Sequence, residues 1–199
     1  MSVEVRAALE VDLDALIQLN HVVQSLHAVL YPGDFTQMVD PCAVRSFFAA
    51  RLAGPKTAIG IAEADRVPVG YVWFEVQARP ETPFTPPRHR IYVHHIAVAP
   101  EARRRGIATA LMHYVEHQAA SEGIDEIALA TWAANLDAQH FFGARVRRVQ
   151  RGAAKDARQQ SQLRVESGRP RRGSFRLLTV VNKEASLALQ SVKTSVPMY

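Results

Sequence analysis

One stretch constrains this chain more than any other: Ile91 to Leu111, IYVHHIAVAPEARRRGIATAL. Ile91 to Val98 is rich in β-branched and aromatic residues, and Pro100 stops the run, which predicts a buried strand. From Ile107 onward, apolar residues fall at Ile107, Ala110, Leu111, Tyr114 and Val115, the spacing of one helix face. Between the two lie Arg103, Arg104, Arg105, Gly106, Ile107, Ala108 and Thr109, where missing or small side chains let an anion approach the backbone. Unpaired N–H groups at a helix start attract phosphate, and the arginines add charge. A phosphate-bearing ligand is the first inference. The glycine spacing matches neither the dinucleotide fingerprint nor the Walker loop. An ordinary strand-loop-helix with a solvated basic turn is the alternative.

A chain of 199 residues is long enough for one well-buried core and short for two domains. Its net charge of +5 favours acidic ligands, a coenzyme pyrophosphate or a nucleic acid alike. The single cysteine, Cys42, excludes an intrachain disulfide and a cysteine-only metal cage, so no metal is expected. MSVEVRAALEVD carries acidic residues and no long apolar core, unlike a secretory signal, and no apolar run approaches the length of a bilayer span. A soluble, cytoplasmic protein without a membrane partner is the expectation.

In chain order, Ser2 to Ala7 can form a first strand. Asp12 then caps a helix that runs to the break at Pro32 and Gly33. Asp40 and Pro41 open a second helix through Leu52. Thr57 to Ala64 and Val69 to Gln77 read as a strand hairpin turning at Asp65 to Pro68, and Tyr71, Trp73 and Glu75 share one face of its second strand. Ala78 to His89 holds Pro80, Pro83, Pro86 and Pro87, so it is a projecting loop, either a binding or subunit surface or a tolerated insertion. After the central stretch, Glu126 to Thr131 makes the next strand.

Val98, Pro100, Arg103, Gly106 and Ala108 match R/Q-x-x-G-x-G/A following a strand that ends in V-x-P, and the chain here resembles the GNAT superfamily of acetyl-coenzyme A dependent N-acyltransferases. Asn135, Ala138 and Phe141 in WAANLDAQHFF resemble the family's second signature, N-x-x-A-x-x-F/L-Y. The resemblance covers about residues 3–142 and implies an α/β domain with a mixed, largely antiparallel central sheet flanked by helices. It stops at Phe142, which stands where the family has a tyrosine. Residues 143–199 form a divergent basic segment with many arginines from Arg145 to Arg172, a displaced final strand at 176–181, and a short helix over Glu184 to Gln190.

The resemblance implies acetyl transfer from acetyl-coenzyme A, as cosubstrate, to a primary amine on a small molecule or peptide. By the family's pattern the Ile96 and Val98 main chain holds the pantetheine arm and polarises the thioester. Arg103, Arg104, Arg105, Gly106, Ile107, Ala108 and Thr109 hold the pyrophosphate, Asn135 bonds the arm, and His27, Tyr31 and Phe35 line the acceptor site. An alkylamine with a pKa of about 10.4 is almost all ammonium at pH 7, and presenting it neutral costs about 4.6 kcal/mol. Glu75, His94 and His95 are the candidate catalytic bases. His95 shares a face with Val93 and Ala97, and His94 with Tyr92, Ile96 and Val98, unless a bulge resets the alternation, so only one histidine is expected to face the acceptor. Two rivals stand beside this reading: a coenzyme-binding protein without transfer activity, and a nucleic-acid-binding module using the basic tail. A homodimer is compatible with the family.

Overall fold

The computed structural model describes residues 2–145 and, as backbone, 176–182. Of the expected basic stretch from Arg145 to Arg172 all but Arg145 lies outside the described residues, as does the expected helix over Glu184 to Gln190. The chain begins with β1 (Val3–Ala7), α1 (Leu13–Leu30) and α2 (Pro41–Leu52). β2 (Thr57–Ala64), β3 (Val67–Arg79) and β4 (Arg88–Val98) follow. α3 (Ile107–Ser121), β5 (Glu126–Trp132), a helix α4 at residues 136–145 and β6 (Arg176–Asn182) complete it.

The strands form one sheet in the order β1-β2-β3-β4-β5-β6. Neighbours from β1 to β4 are antiparallel, whereas β5 runs parallel to β4 and β6 parallel to β5. This is the mixed, largely antiparallel sheet expected from the resemblance. Parallel neighbours need a crossover, and α3 supplies the one between β4 and β5. The β2–β3 turn is tighter than expected, because Asp65 and Arg66 both take left-handed φ values of 50° and 67° and Pro68 already belongs to β3. Likewise β3 and β4 run on to Arg79 and from Arg88, which shortens the projecting loop to residues 80–87.

Helices cover both faces of the sheet. On one face α3 presents Ile107, Leu111, Met112, Val115 and Ala119, all essentially buried, at the spacing of one helical stripe. Gly70 lets this helix sit close: a Cβ there would lie 2.8 Å from the Ala97 carbonyl oxygen and 3.2 Å from Ile107. On the other face, Leu16 and Leu19 of α1 and Phe48 of α2 pack toward Tyr71, whose ring meets Phe48 edge-on at 5.5 Å. Asp40 caps α2 as expected, its Oδ1 accepting from Cys42 N at 3.0 Å. Asp12 does something else. Its carboxylate accepts both terminal nitrogens of Arg6, at 2.7 and 2.8 Å, and the Leu9 N–H at 2.8 Å, so it clamps β1 to the start of α1 rather than capping that helix.

Candidate functional site

The site begins with an irregularity in the central ladder. β3 and β4 pair in step from Arg79↔Arg88 to Phe74↔Val93, and then Trp73 faces His95, leaving His94 as the extra residue of a β-bulge. Such an insertion resets the phase of the side chains. Strict alternation sends the two histidines to opposite faces; the bulge puts both on the face of Trp73, which corrects the expectation that only one faces the acceptor side. His94 stacks on the Trp73 ring at 4.2 Å and 13°, and His95 meets it edge-on at 5.0 Å.

Glu75 pairs with Tyr92 across the ladder and shares that face. Its Oε1 lies 3.4 Å from His94 Nε2 and accepts a hydrogen bond from Gln77. Burial pushes the His94 pKa below its ordinary value, and the Glu75 charge offsets part of that fall. The ring is therefore neutral at pH 7. A proton on the nitrogen that faces the carboxylate leaves Nδ1 with the lone pair.

His95 is placed differently. Its Nδ1 lies 3.1 Å from Tyr71 Oη, and that hydroxyl donates to Asn20 Oδ1 at 3.0 Å. A phenol has one proton to give, so His95 Nδ1–H is the donor to Tyr71. Burial pushes the His95 pKa down to about 4. It is held neutral within the packing and is a poor proton acceptor for an ammonium group, which leaves Glu75 and His94 as the better-placed pair.

Two side chains around this pair carry nitrogens with no hydrogen-bond partner among the described residues. Arg51, in the last turn of α2, lies over the Phe47 ring at 3.2 Å and within 5.1 Å of the Trp73 ring centre. Arg51 Nε and Trp73 Nε1 are the two buried in this way, and His94 Nε2 has only the 3.4 Å approach of Glu75. Buried nitrogens of this kind are ordinarily satisfied by water or a ligand.

A second region opens beside the bulge. β4 pairs with β5 only at Ile91↔Ile127, Tyr92↔Ala128 and Val93↔Leu129. From His94 to Val98 that side of β4, including the Ile96 and Val98 main chain, has no strand partner among the described residues. The Val98 carbonyl accepts from Arg103 Nε at 3.4 Å, and the remaining backbone groups are open to an extended ligand. The strand then leads through the short turn Pro100–Ala102 into the loop before α3. There Arg104 and Gly106 take left-handed φ values of 62° and 81°. That geometry turns the chain so that the first N–H groups of α3, at Ile107, Ala108 and Thr109, face out without helical partners. Arg103, Arg104 and Arg105 are exposed around them, and a Cβ on Gly106 would meet nothing within 4 Å. An open strand edge for amide groups that runs into a basic helix start for phosphates fits coenzyme A.

Asn135 has a different first task. Its Oδ1 accepts from Ala138 N at 3.1 Å and so caps α4, which leaves only its Nδ2 to donate to a ligand. His27, Tyr31 and Phe35 are brought together around Trp132, at the end of β5. Phe35 and Tyr31 lie 5.1 and 4.7 Å from its ring, His27 lies 4.8 Å from Phe35, and Tyr31 Oη accepts from Ala134 N at 2.8 Å. Phe142 is 3% exposed and faces the core. Trp73, Arg51 and Trp132 were not singled out from sequence. Trp73 shares the alternation of Glu75, and Trp132 directly precedes the second motif; Arg51 carried no signal, because only folding brings the end of α2 over β3.

Among the described residues no group of three or more His, Cys, Asp or Glu side chains could hold a metal ion, and no helix is long and apolar enough to cross a membrane. No curated protein matches the chain by sequence. Solved structures share its fold. A tetramutant of the BH1408 protein from Bacillus halodurans superposes with a TM-score of 0.66 at 17% identity, over 84% of this chain and 97% of its own. Aminoglycoside N-acetyltransferase AAC(6')-Iy, in complex with a bisubstrate analogue of coenzyme A, gives 0.57 at 22% over 72% and 89%. The aminoglycoside antibiotic 6'-N-acetyltransferase AAC(6')-Ih from Acinetobacter baumannii gives 0.56 at 18% over 72% and 88%. The acetyltransferase (GNAT) family model matches residues 24–145, which run from the second half of α1 through α4 and hold the bulge, the open strand edge and the basic helix start, and the chain belongs to that family.

Proposed function

We propose that this acetyltransferase moves an acetyl group from acetyl-coenzyme A to a primary amine by direct attack, with Glu75 and His94 accepting the amine's proton. The observation that carries this reading is the break in the β4–β5 ladder after Val93, which puts the open edge of β4 directly beside the Glu75–His94 pair. That edge leads on to the basic start of α3, so one ligand reaching from the loop to the bulge would end where a base is waiting. The AAC(6')-Iy structure, which holds a coenzyme A bisubstrate analogue in the same fold, supports the choice of cosubstrate.

The coenzyme supplies a thioester carbonyl. The chain's part is to hold it and to present the amine neutral. N–H groups of Ile107, Ala108 and Thr109, with Arg103, Arg104 and Arg105, would bind the pyrophosphate, and the Ile96 and Val98 main chain would hold the arm and polarise the carbonyl. The Asn135 amide would donate from Nδ2. His27, Tyr31 and Phe35, packed on Trp132, would flank the acceptor. Deprotonating an alkylamine at pH 7 takes about 4.6 kcal/mol. A neutral His94, poised by the Glu75 charge, would take that proton directly or through a water held by one of the unpartnered N–H groups of Arg51 and Trp73, the water's other lone pair free to accept. No positioned acid is required at the departing sulfur, since a thiol with a pKa near 8.5 leaves readily as thiolate. Phe142 in place of a tyrosine is compatible with this.

That same Phe142 favours a second reading, a coenzyme-binding protein without transfer. Release of free thiol from acetyl-coenzyme A in the presence of a panel of primary amines separates them. Amine-dependent thiol release that falls at least tenfold in Glu75→Gln supports transfer. Coenzyme binding with no thiol release by any amine leaves the second reading.

A further inference from the structure

The face that carries Trp73, Glu75 and His94 continues toward the end of the β3–β4 hairpin. Glu75 pairs with Tyr92, Gln77 with Arg90, and Arg79 with Arg88, and alternate residues of a strand share a face. The row is continuous in contact. Arg90 lies over the Tyr92 ring at 5.3 Å, Tyr92 meets His94 at 4.9 Å, and His94 stacks on Trp73. At this end of the hairpin opens a cleft of about 450 Å³ lined by Lys56, Glu75, Gln77, Arg79, Arg88 and Arg90, with Val76 and Ala78 of β3 between them.

Its charge is one-sided. Glu126 pairs with Arg88 at 2.8 Å and reaches Arg90 at 3.9 Å, while Arg90 Nε also donates to Gln77 Oε1 at 2.9 Å. Lys56 and Arg79 meet no acidic group among the described residues. At one end stands the Glu75 carboxylate, suited to an ammonium. At the other stand cations that exceed the acidic groups available to them, suited to an anion.

We propose that this cleft is an anionic subsite of the acceptor, so that the amine acetylated here carries a carboxylate or phosphate roughly 7–13 Å from its reacting nitrogen, the span of two to four strand residues beyond Glu75. The proposal rests on the acetyl-transfer reading and names its substrate class. It sets this chain apart from its aminoglycoside-acetylating structural neighbours, because a polycationic acceptor would bring like charges to Lys56 and Arg79.

The test uses four linear amines of matched length, differing only at the far end: hexylamine, 6-aminohexanoate, 5-aminopentyl phosphate and hexane-1,6-diamine. Each is titrated calorimetrically into the full chain saturated with coenzyme A, and each is then assayed for thiol release from acetyl-coenzyme A. The expected result is binding of the carboxylate or the phosphate amine at least tenfold tighter than the diamine, with hexylamine between. In Lys56→Gln/Arg79→Gln the ratio should collapse toward one, and in wild type it should shrink as salt rises. Whichever anionic amine binds tighter identifies the anion. Equal binding of all four, or tighter binding of the diamine, overturns the subsite whatever thiol release shows. Selective binding of the anionic amines without acetylation upholds the subsite and fails the transfer reading instead.

Discussion

The two ends of α3 offer a matched pair of substitutions that separate strain from ligand binding. Gly106 before the helix has φ 81° and Gly123 after it has φ 68°, and a Cβ at either would meet nothing within 4 Å. Alanine at each therefore clashes with no atom and loses only the freedom to adopt a left-handed backbone, about 1 kcal/mol. For a chain of this length that lowers the Tm by about 2–4 °C, the same at both sites. Only Gly106 lies in the proposed pyrophosphate cradle. A methyl there would compete for space with a phosphate held by the outward-facing N–H groups, whose charge-assisted hydrogen bonds are worth about 1.5–3 kcal/mol each. Losing one weakens acetyl-coenzyme A binding by about tenfold or more. Thermal unfolding and calorimetric titration of Gly106→Ala and Gly123→Ala read the two effects separately. Equal loss of stability with wild-type affinity in both variants would refute the cradle, and unchanged stability in both would refute the strain argument.

Further outcomes follow from the site and the packing. The acid limb of kcat should fall below the ordinary histidine range of about 6.5, because burial lowers the His94 pKa. Glu75 raises that pKa, so Glu75→Gln should move the limb to lower pH, and His94→Asn should flatten it; a limb unmoved in both variants excludes the pair as the base. Phe142→Tyr, with the residue 3% exposed, buries a hydroxyl and should cost about 1–3 kcal/mol in denaturant unfolding with no gain in kcat. Asp12→Asn should cost about 2 kcal/mol, since it takes a charge from the Arg6 clamp. Arg6 holds the Asp12 pKa below the usual carboxylate range. That contribution is complete above the unfolded pKa of about 3.9 and is lost as pH falls through the folded value. The stability gap between wild type and Asp12→Asn should therefore narrow below about pH 4.

What could be read from the sequence was what local chemistry dictates. Pro100 and Gly106 punctuate the strand, loop and helix, Asp40 and Pro41 mark the start of α2, and four prolines keep residues 80–87 out of the sheet. These signals act within a few residues of themselves. The bulge at His94 had no such marker, because no glycine or proline announces it and it exists only as a slip between β3 and β4. The second motif marks Asn135 as a ligand contact, and only geometry shows that its oxygen also caps α4 through Ala138 N, leaving Nδ2 for a ligand. The basic cleft was illegible for a related reason. Lys56, Arg79 and Arg88 come from three stretches of chain that the sheet brings together, and each alone looks like a solvated surface cation.

The central claim is that acetyl-coenzyme A lies along the open edge of β4 with its pyrophosphate at the start of α3. Calorimetric titration of acetyl-coenzyme A into the wild-type chain and into Arg103→Ala/Arg105→Ala tests it most directly. The account predicts binding in the micromolar range that weakens at least tenfold in the variant and declines with salt. A folded wild-type protein that does not bind acetyl-coenzyme A, or a variant that binds it as tightly as wild type, would contradict it.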